Sequence, residues 1–218
     1  METLLLAVTL LLGCHLPLPV TPLPLPTERA APPTTPDVAA HMTCTRTVNR
    51  TSDFEDHVQI GVPLLNHLLW VVNSSLQTMR TERFQDPNYE VVTETEDVAS
   101  LCSWTFQDFL TKVYERLQNV SLNLAALEQL TNFSVPQVEF IQTLTDSLKI
   151  NVQSLAHNGT TLEATTASPI QQQRLSTWST YELDRSTLRM LTWYQSLINS
   201  TRIVYTHLQM LNSEAETE

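Results

Sequence analysis

Asp53, Glu55, Asp56 and His57 crowd together in this 218-residue chain. Carboxylates beside an imidazole can hold a cation or move a proton. Either use needs further groups at set spacing, and none follows. His15, His41, His67, His157 and His207 share no ligand spacing. The chain has no CxxC, no HExxH and no Gly-rich phosphate loop, with three glycines in all. The cluster therefore reads as a solvated acidic lead-in to a helix N-terminus, where carboxylates are favoured. A second set of acids, Glu82, Asp86, Glu90, Glu94, Glu96 and Asp97, lacks EF-hand spacing and reads as solvated loop. No catalysis, metal or cofactor is expected.

Asparagine and cysteine carry the chemistry that remains. Asn49, Asn73, Asn119, Asn132, Asn158 and Asn199 each begin an N-x-Ser/Thr triplet, the acceptor for an N-linked glycan in a secreted chain. The opening METLLLAVTLLLGCHLPLP agrees. Its apolar run is too short to span a bilayer and fits a secretory signal over residues 1–22, with an uncleaved anchor as the alternative. No later stretch predicts membrane insertion. Of three cysteines, Cys14 falls in that segment, leaving Cys44 and Cys102 as an even pair for an oxidising compartment. They can pair with each other, or one can crosslink to a partner chain. A net charge of -11 argues against nucleic acid and anionic membranes, which both need a basic footprint.

Residues 23–52 are Pro/Thr-rich and read as an extended segment, because proline has no amide hydrogen for helix or sheet. Four helical patterns follow within 53–213, ahead of an acidic tail, 214–218. The first is expected over 63–83, with Pro63 in its first turn. A second opens near Thr105, with Asp108 at the third helical position, and runs to about residue 130. The third opens at Ser134-Val135-Pro136-Gln137, which fits a capping box, and turns inward Val138, Ile141, Leu144, Leu148, Val152 and Leu155. His157-Asn158-Gly159 suits its end. The fourth opens at Ser179-Thr180-Tyr181-Glu182 and turns inward Leu188, Leu191, Tyr194, Ile198, Tyr205, Leu208 and Leu211.

No alternating run is long enough for a sheet, so the fold class is all-α. A short connection makes the second and third helices antiparallel neighbours. The other two connections, each about 20 residues, reach about 65 Å when extended, enough to run back along a helix. The expected architecture is an up-up-down-down long-chain four-helix bundle with two long crossover loops. Parallel first and second helices would bring Cys44 and Cys102 to one end.

Surface recognition is the function left open. Trp178 and Tyr181 stand before and within the start of the fourth helix, as contact anchors or as a staple on the bundle end. Arg202 lies in "NSTRIVYTHLQML", where a guanidinium can lie on apolar surface and present its fork to a carboxylate, or simply be solvated. Trp193 lies off the main seam.

The stretches "VYERLQNVSLNLAALEQLTNFSVPQVEFIQTLTDSLKINVQSLAHN" (113–158) and "VYTHLQMLNS" (204–213) resemble, in order and apolar pattern, the second, third and fourth helices of the class I helical cytokines. Within these the chain is similar to the interleukin-12 alpha-chain family. That resemblance implies a secreted binding subunit without catalysis. It would pair with a receptor-like beta chain and engage a class I cytokine receptor. In relatives an arginine of the fourth helix enters an acidic pocket of the beta chain. Arg202 is similar in setting to that of the interleukin-23 alpha chain, whereas an ungapped match to the interleukin-12 alpha chain places Thr206 there. Arg202, Tyr205 and Thr206 are thus the implied beta-chain interface, and Trp178 and Tyr181 the implied receptor contact. Some members also crosslink to the beta chain through a cysteine, a role that would fall to Cys102. A single-chain cytokine of the interleukin-6 or leukaemia-inhibitory-factor type is the alternative, followed by a secreted carrier of small ligands.

Overall fold

Phe54, Val58, Gly61, Leu65, Leu68, Val72, Leu76 and Met79 recur every three or four positions, and all are buried. That seam builds α1, Ser52–Thr78, which continues into a wider π turn, Met79–Arg83. The computed structural model describes residues 43–45, 48, 52–103, 105–130, 134–156, 162 and 177–215. All of them fall in one unit, Thr35–Glu218. The signal over 1–22, Cys14, and the acceptors Asn49, Asn132 and Asn158 lie outside the described residues, as does His157-Asn158-Gly159.

The start of α1 corrects an expectation. Pro63 lies inside the helix rather than in its first turn. The apolar seam carries on through it toward the N-terminus, and Pro63 faces solvent. Burial of the Phe54 and Val58 side chains thus outweighs the hydrogen bond that proline cannot donate. Asp53 and Glu55 belong to the first turn of α1 itself, where they meet its positive end.

After α1 comes a short helix, α2, Val98–Leu101, capped by the Asp97 side chain, which accepts from Ser100 N at 2.6 Å. α3, Phe106–Glu128, opens at Thr105 as expected, with Asp108 at its third position closing a capping box: Thr105 Oγ1 accepts from Asp108 N, and the Asp108 carboxylate accepts from Thr105 N. α4, Val138–Leu155, does not open on one. Gln137 takes its N-cap position in the left-handed region, φ 58°, with no side-chain cap. The turn docks on α1 instead: Gln137 Nε2 donates to Ser74 Oγ, and Ser75 Oγ donates to Pro136 O. Ala156 is the C-cap of α4. α5, Thr180–Ala215, opens on the expected box between Ser179 and Glu182. It is 36 residues long and reaches past the predicted boundary at 213.

No strand occurs among the described residues. The fold is all-helical. α1 packs on α5 and on α4, and α3 packs on α4. All three pairs are antiparallel, because residue numbers rise on one helix as they fall on its neighbour. Asn66 meets Arg202, and Asn73 meets Gln195. His57 O accepts from Asn151 Nδ2 near one end of α1, and Ser75 reaches Pro136 near the other. On α3, Ser121 meets Asp146 and Glu128 meets Gln142.

Of the acids expected in a solvated loop, Asp86, Glu90, Glu94 and Asp97 are exposed as read, Glu82 is exposed within the π turn, and Glu96 departs. Glu96 is paired with Arg116 of α3 at 2.7 Å. Its backbone carbonyl accepts from both Ser196 and Ser200 of α5. This segment is therefore fastened along α5. Cys44 and Cys102 form a disulfide, Cα–Cα 5.1 Å, and both are fully buried. Cys44 sits in a 3-10 turn, Thr43–Thr45, so this part of the Pro/Thr-rich segment is docked rather than extended.

Candidate functional site

Two surfaces hold the residues singled out from sequence. The first is the groove between α1 and α5. Gln195, Asn199, Arg202 and Thr206 recur by four, three and four along α5, so they share one face. Opposite them on α1 stand Asn66 and Asn73, seven apart. Arg202 is half-buried; its Nη2 donates to Asn199 Oδ1 at 2.9 Å and its Nη1 to Asn66 Oδ1 at 3.3 Å. Both acceptors are neutral amides. Among the described residues no carboxylate pairs with this guanidinium. Thr206 is exposed one turn further on.

Tyr205 does not belong to this surface. It is 0% exposed, and its ring lies against Gly61 of α1, where a Cβ would overlap it. Its hydroxyl donates to Asn151 Oδ1 at 3.1 Å, and burial pushes the phenol far above its ordinary value. An apolar seam that runs to Leu208 must bury Tyr205, and a residue on that seam cannot also touch a partner. Of the three residues expected to face a beta chain, Arg202 and Thr206 lie on this surface.

The second surface lies at the start of α5. Trp178 is 38% exposed and Tyr181 57%. Trp178 lines a shallow groove with Glu182, Arg185, Ser186 and Arg189. Arg189 also borders a second depression, with Trp193 and the exposed Val92. Trp193 is half-buried against the core. The Tyr181 hydroxyl lies 3.2 Å from that of Tyr89, which stacks on Phe84 at 4.1 Å. This bond holds the Tyr89 phenol above its ordinary value. Phe84 meets the Tyr181 ring edge-on, so three aromatics from two segments form one cluster.

Phe84, Tyr89, Arg185, Arg189, Asn66 and Gln195 are the contributors that sequence reasoning missed. Gln195 was legible in principle, as the first polar member of a four-three-four row ending at Thr206. Phe84 and Tyr89 were not, because a segment of irregular structure has no periodicity to give direction.

Asn73 is exposed, and Asn119 and Asn199 are half-buried. Among the described residues no three His, Cys, Asp or Glu side chains converge as a metal site requires. No described helix is long and apolar enough to cross a membrane. No protein-family model, curated protein or solved structure matches the chain.

Proposed function

We propose that this chain is a secreted helical cytokine subunit that pairs with a receptor-like beta chain and engages a class I cytokine receptor. It works by contact, with no catalysis and no cofactor. Its architecture is an up-up-down-down four-helix bundle, α1 and α3 pointing one way and α4 and α5 the other. The antiparallel contacts of α4 with both α1 and α3 support this, as does the segment fastened along α5 between α1 and α3.

The observation that carries the reading is Arg202, a half-buried cation held by two amide oxygens and no carboxylate. The protein has an excess of 11 negative charges, yet none of its described acids neutralises this group. A guanidinium fixed in place with unused donors suits a carboxylate supplied from outside. Arg202 and Thr206 form the beta-chain face, and Trp178 and Tyr181 the receptor face. The filled interior, with Phe109, Tyr194 and Tyr205 fully buried, favours this over a ligand carrier.

The direct test is Arg202→Glu, co-expressed with a receptor-like beta chain. Charge reversal abolishes co-secretion of the pair while far-ultraviolet circular dichroism stays unchanged. Undiminished pairing would leave Arg202 an ordinary surface residue.

A further inference from the structure

We infer that Asn73 and Asn199 carry N-linked oligosaccharide over the α1–α5 groove, and that sugar at Asn199 and a protein partner at Arg202 exclude one another. This rests on the secreted, pairing reading and adds its regulation. Asn73 on α1 and Asn199 on α5 both begin acceptor triplets and border the same groove. Gln195 Nε2 donates to Asn73 Oδ1, and Asn199 follows Gln195 by one helical turn, about 5.4 Å. Asn199 and Arg202 are in turn neighbours on one face, three residues apart.

The amide orientation of the folded chain accommodates an attached sugar. Transfer joins C1 of the first sugar to asparagine Nδ2. The C1–O bond to a lipid-linked pyrophosphate breaks, the lipid pyrophosphate leaves, and the amide gives up one proton. A guanidinium only donates, so Asn199 must turn Oδ1 toward Arg202. Among the described residues its Nδ2 has no hydrogen-bond partner. Asn73 likewise presents Oδ1 to Gln195. The triplet hydroxyls are less open: Ser75 and Thr201 are both buried. Transfer at these sites therefore precedes closure of the fold. Afterwards a branched sugar on Asn199 stands where a partner would have to reach Arg202. Asn119, on α3, is outside this groove and serves as the internal control.

The test uses the full chain secreted from cultured animal cells. Site-resolved mass spectrometry reads sugar occupancy, and phenylglyoxal labelling of the native protein reads access to Arg202. Thr201→Val removes the acceptor hydroxyl but leaves the Asn199 bond to Arg202, since among the described residues Thr201 Oγ1 bonds only to Leu197 O of its own helix. Wild-type protein trimmed by an endoglycosidase to one sugar per site gives the same comparison without substitution. Expected are occupied Asn73 and Asn199, with Arg202 labelled several-fold more slowly in untrimmed wild type than in the other two samples. When a receptor-like beta chain is co-expressed, the paired fraction has Asn199 bare. Sugar at Asn119 with Asn199 bare in the unpaired chain, equal labelling in all samples, or a paired fraction with Asn199 occupied overturns the inference alone. A chain without sugar at any acceptor overturns the secretory reading and the inference together.

Discussion

Gly61 and Tyr205 define how closely α1 and α5 approach. Alanine forms helix better than glycine by about 1 kcal/mol, so Gly61→Ala would stabilise an isolated helix. Here the added Cβ would strike the Tyr205 ring and come within 2.9 Å of Asn151 Oδ1. The ring sits on a buried hydrogen bond and has nowhere to retreat. Gly61→Ala should therefore destabilise the fold by about 1–3 kcal/mol, read from the urea midpoint. A variant as stable as wild type would mean that the ring moves aside. Half of this contact was legible: Tyr205 lies on an apolar seam, and a seam residue is buried. Asn151 and Thr145 were not, since an amide or hydroxyl is exposed by default. Both are buried because each finds a partner on the facing helix, Asn151 at His57 O and Thr145 at the Tyr194 hydroxyl. Asp184 shows the converse. Its Oδ1 is buried with no partner among the described residues, and burial raises its carboxyl above the ordinary 3.8, against the pull of Arg83. A carboxyl that is a weaker acid folded than unfolded binds more protons in the folded state. Stability should then rise as pH falls from neutral through the raised value toward 3.8. Asp184→Asn should be more stable than wild type at neutral pH, with the gap narrowing as pH falls through that window. A gap constant with pH would remove Asp184 as its cause.

Pro63 illustrates the contest within one element. Local chemistry placed a helix start there, and the apolar row placed the start a dozen residues earlier. The row prevails because each buried side chain gains about 1.5–3 kcal/mol, comparable to the cost of roughly 3 kcal/mol for one interior proline, and two such side chains, Phe54 and Val58, lie beyond it. Pro63 is exposed, so its side chain fills no cavity. Pro63→Ala should restore the amide donor and raise stability by about 1–2 kcal/mol, part of the gain being offset by a freer unfolded chain. Thermal unfolding checks it, and a lower midpoint would mean that proline fixes a bend that α1 needs. The start of α4 misled in the opposite way. Ser134 to Gln137 has the composition of a capping box, but Ser75 and Gln137 find better partners across the α1–α4 interface. Local signals named the caps of α3 and α5 correctly because those termini are exposed. They missed where tertiary contacts compete for the same groups.

For the whole molecule, the disulfide decides whether a partner can be held covalently. Cys44 and Cys102 are 0% exposed and 58 residues apart, so neither sulfur is open to another chain while the pair is intact. Beta-chain pairing, as proposed, is then not made through Cys44 or Cys102 and rests on surfaces such as the Arg202 groove. The bond also anchors the Thr43–Thr45 turn against α3. Closing a loop of this length contributes about 4 kcal/mol on the chain-entropy model, mostly by confining the unfolded chain. The double variant Cys44→Ser/Cys102→Ser should lose about that much stability. Its unfolding should also grow steeper in denaturant, because an uncrosslinked chain exposes more surface. The steepness separates two origins: loss of stability with an unchanged slope would assign the effect to packing of buried sulfur. On a non-reducing gel, wild type secreted with its partner should run as two separate chains. A single higher band that collapses on reduction would mean that Cys102 leaves Cys44 to join another chain.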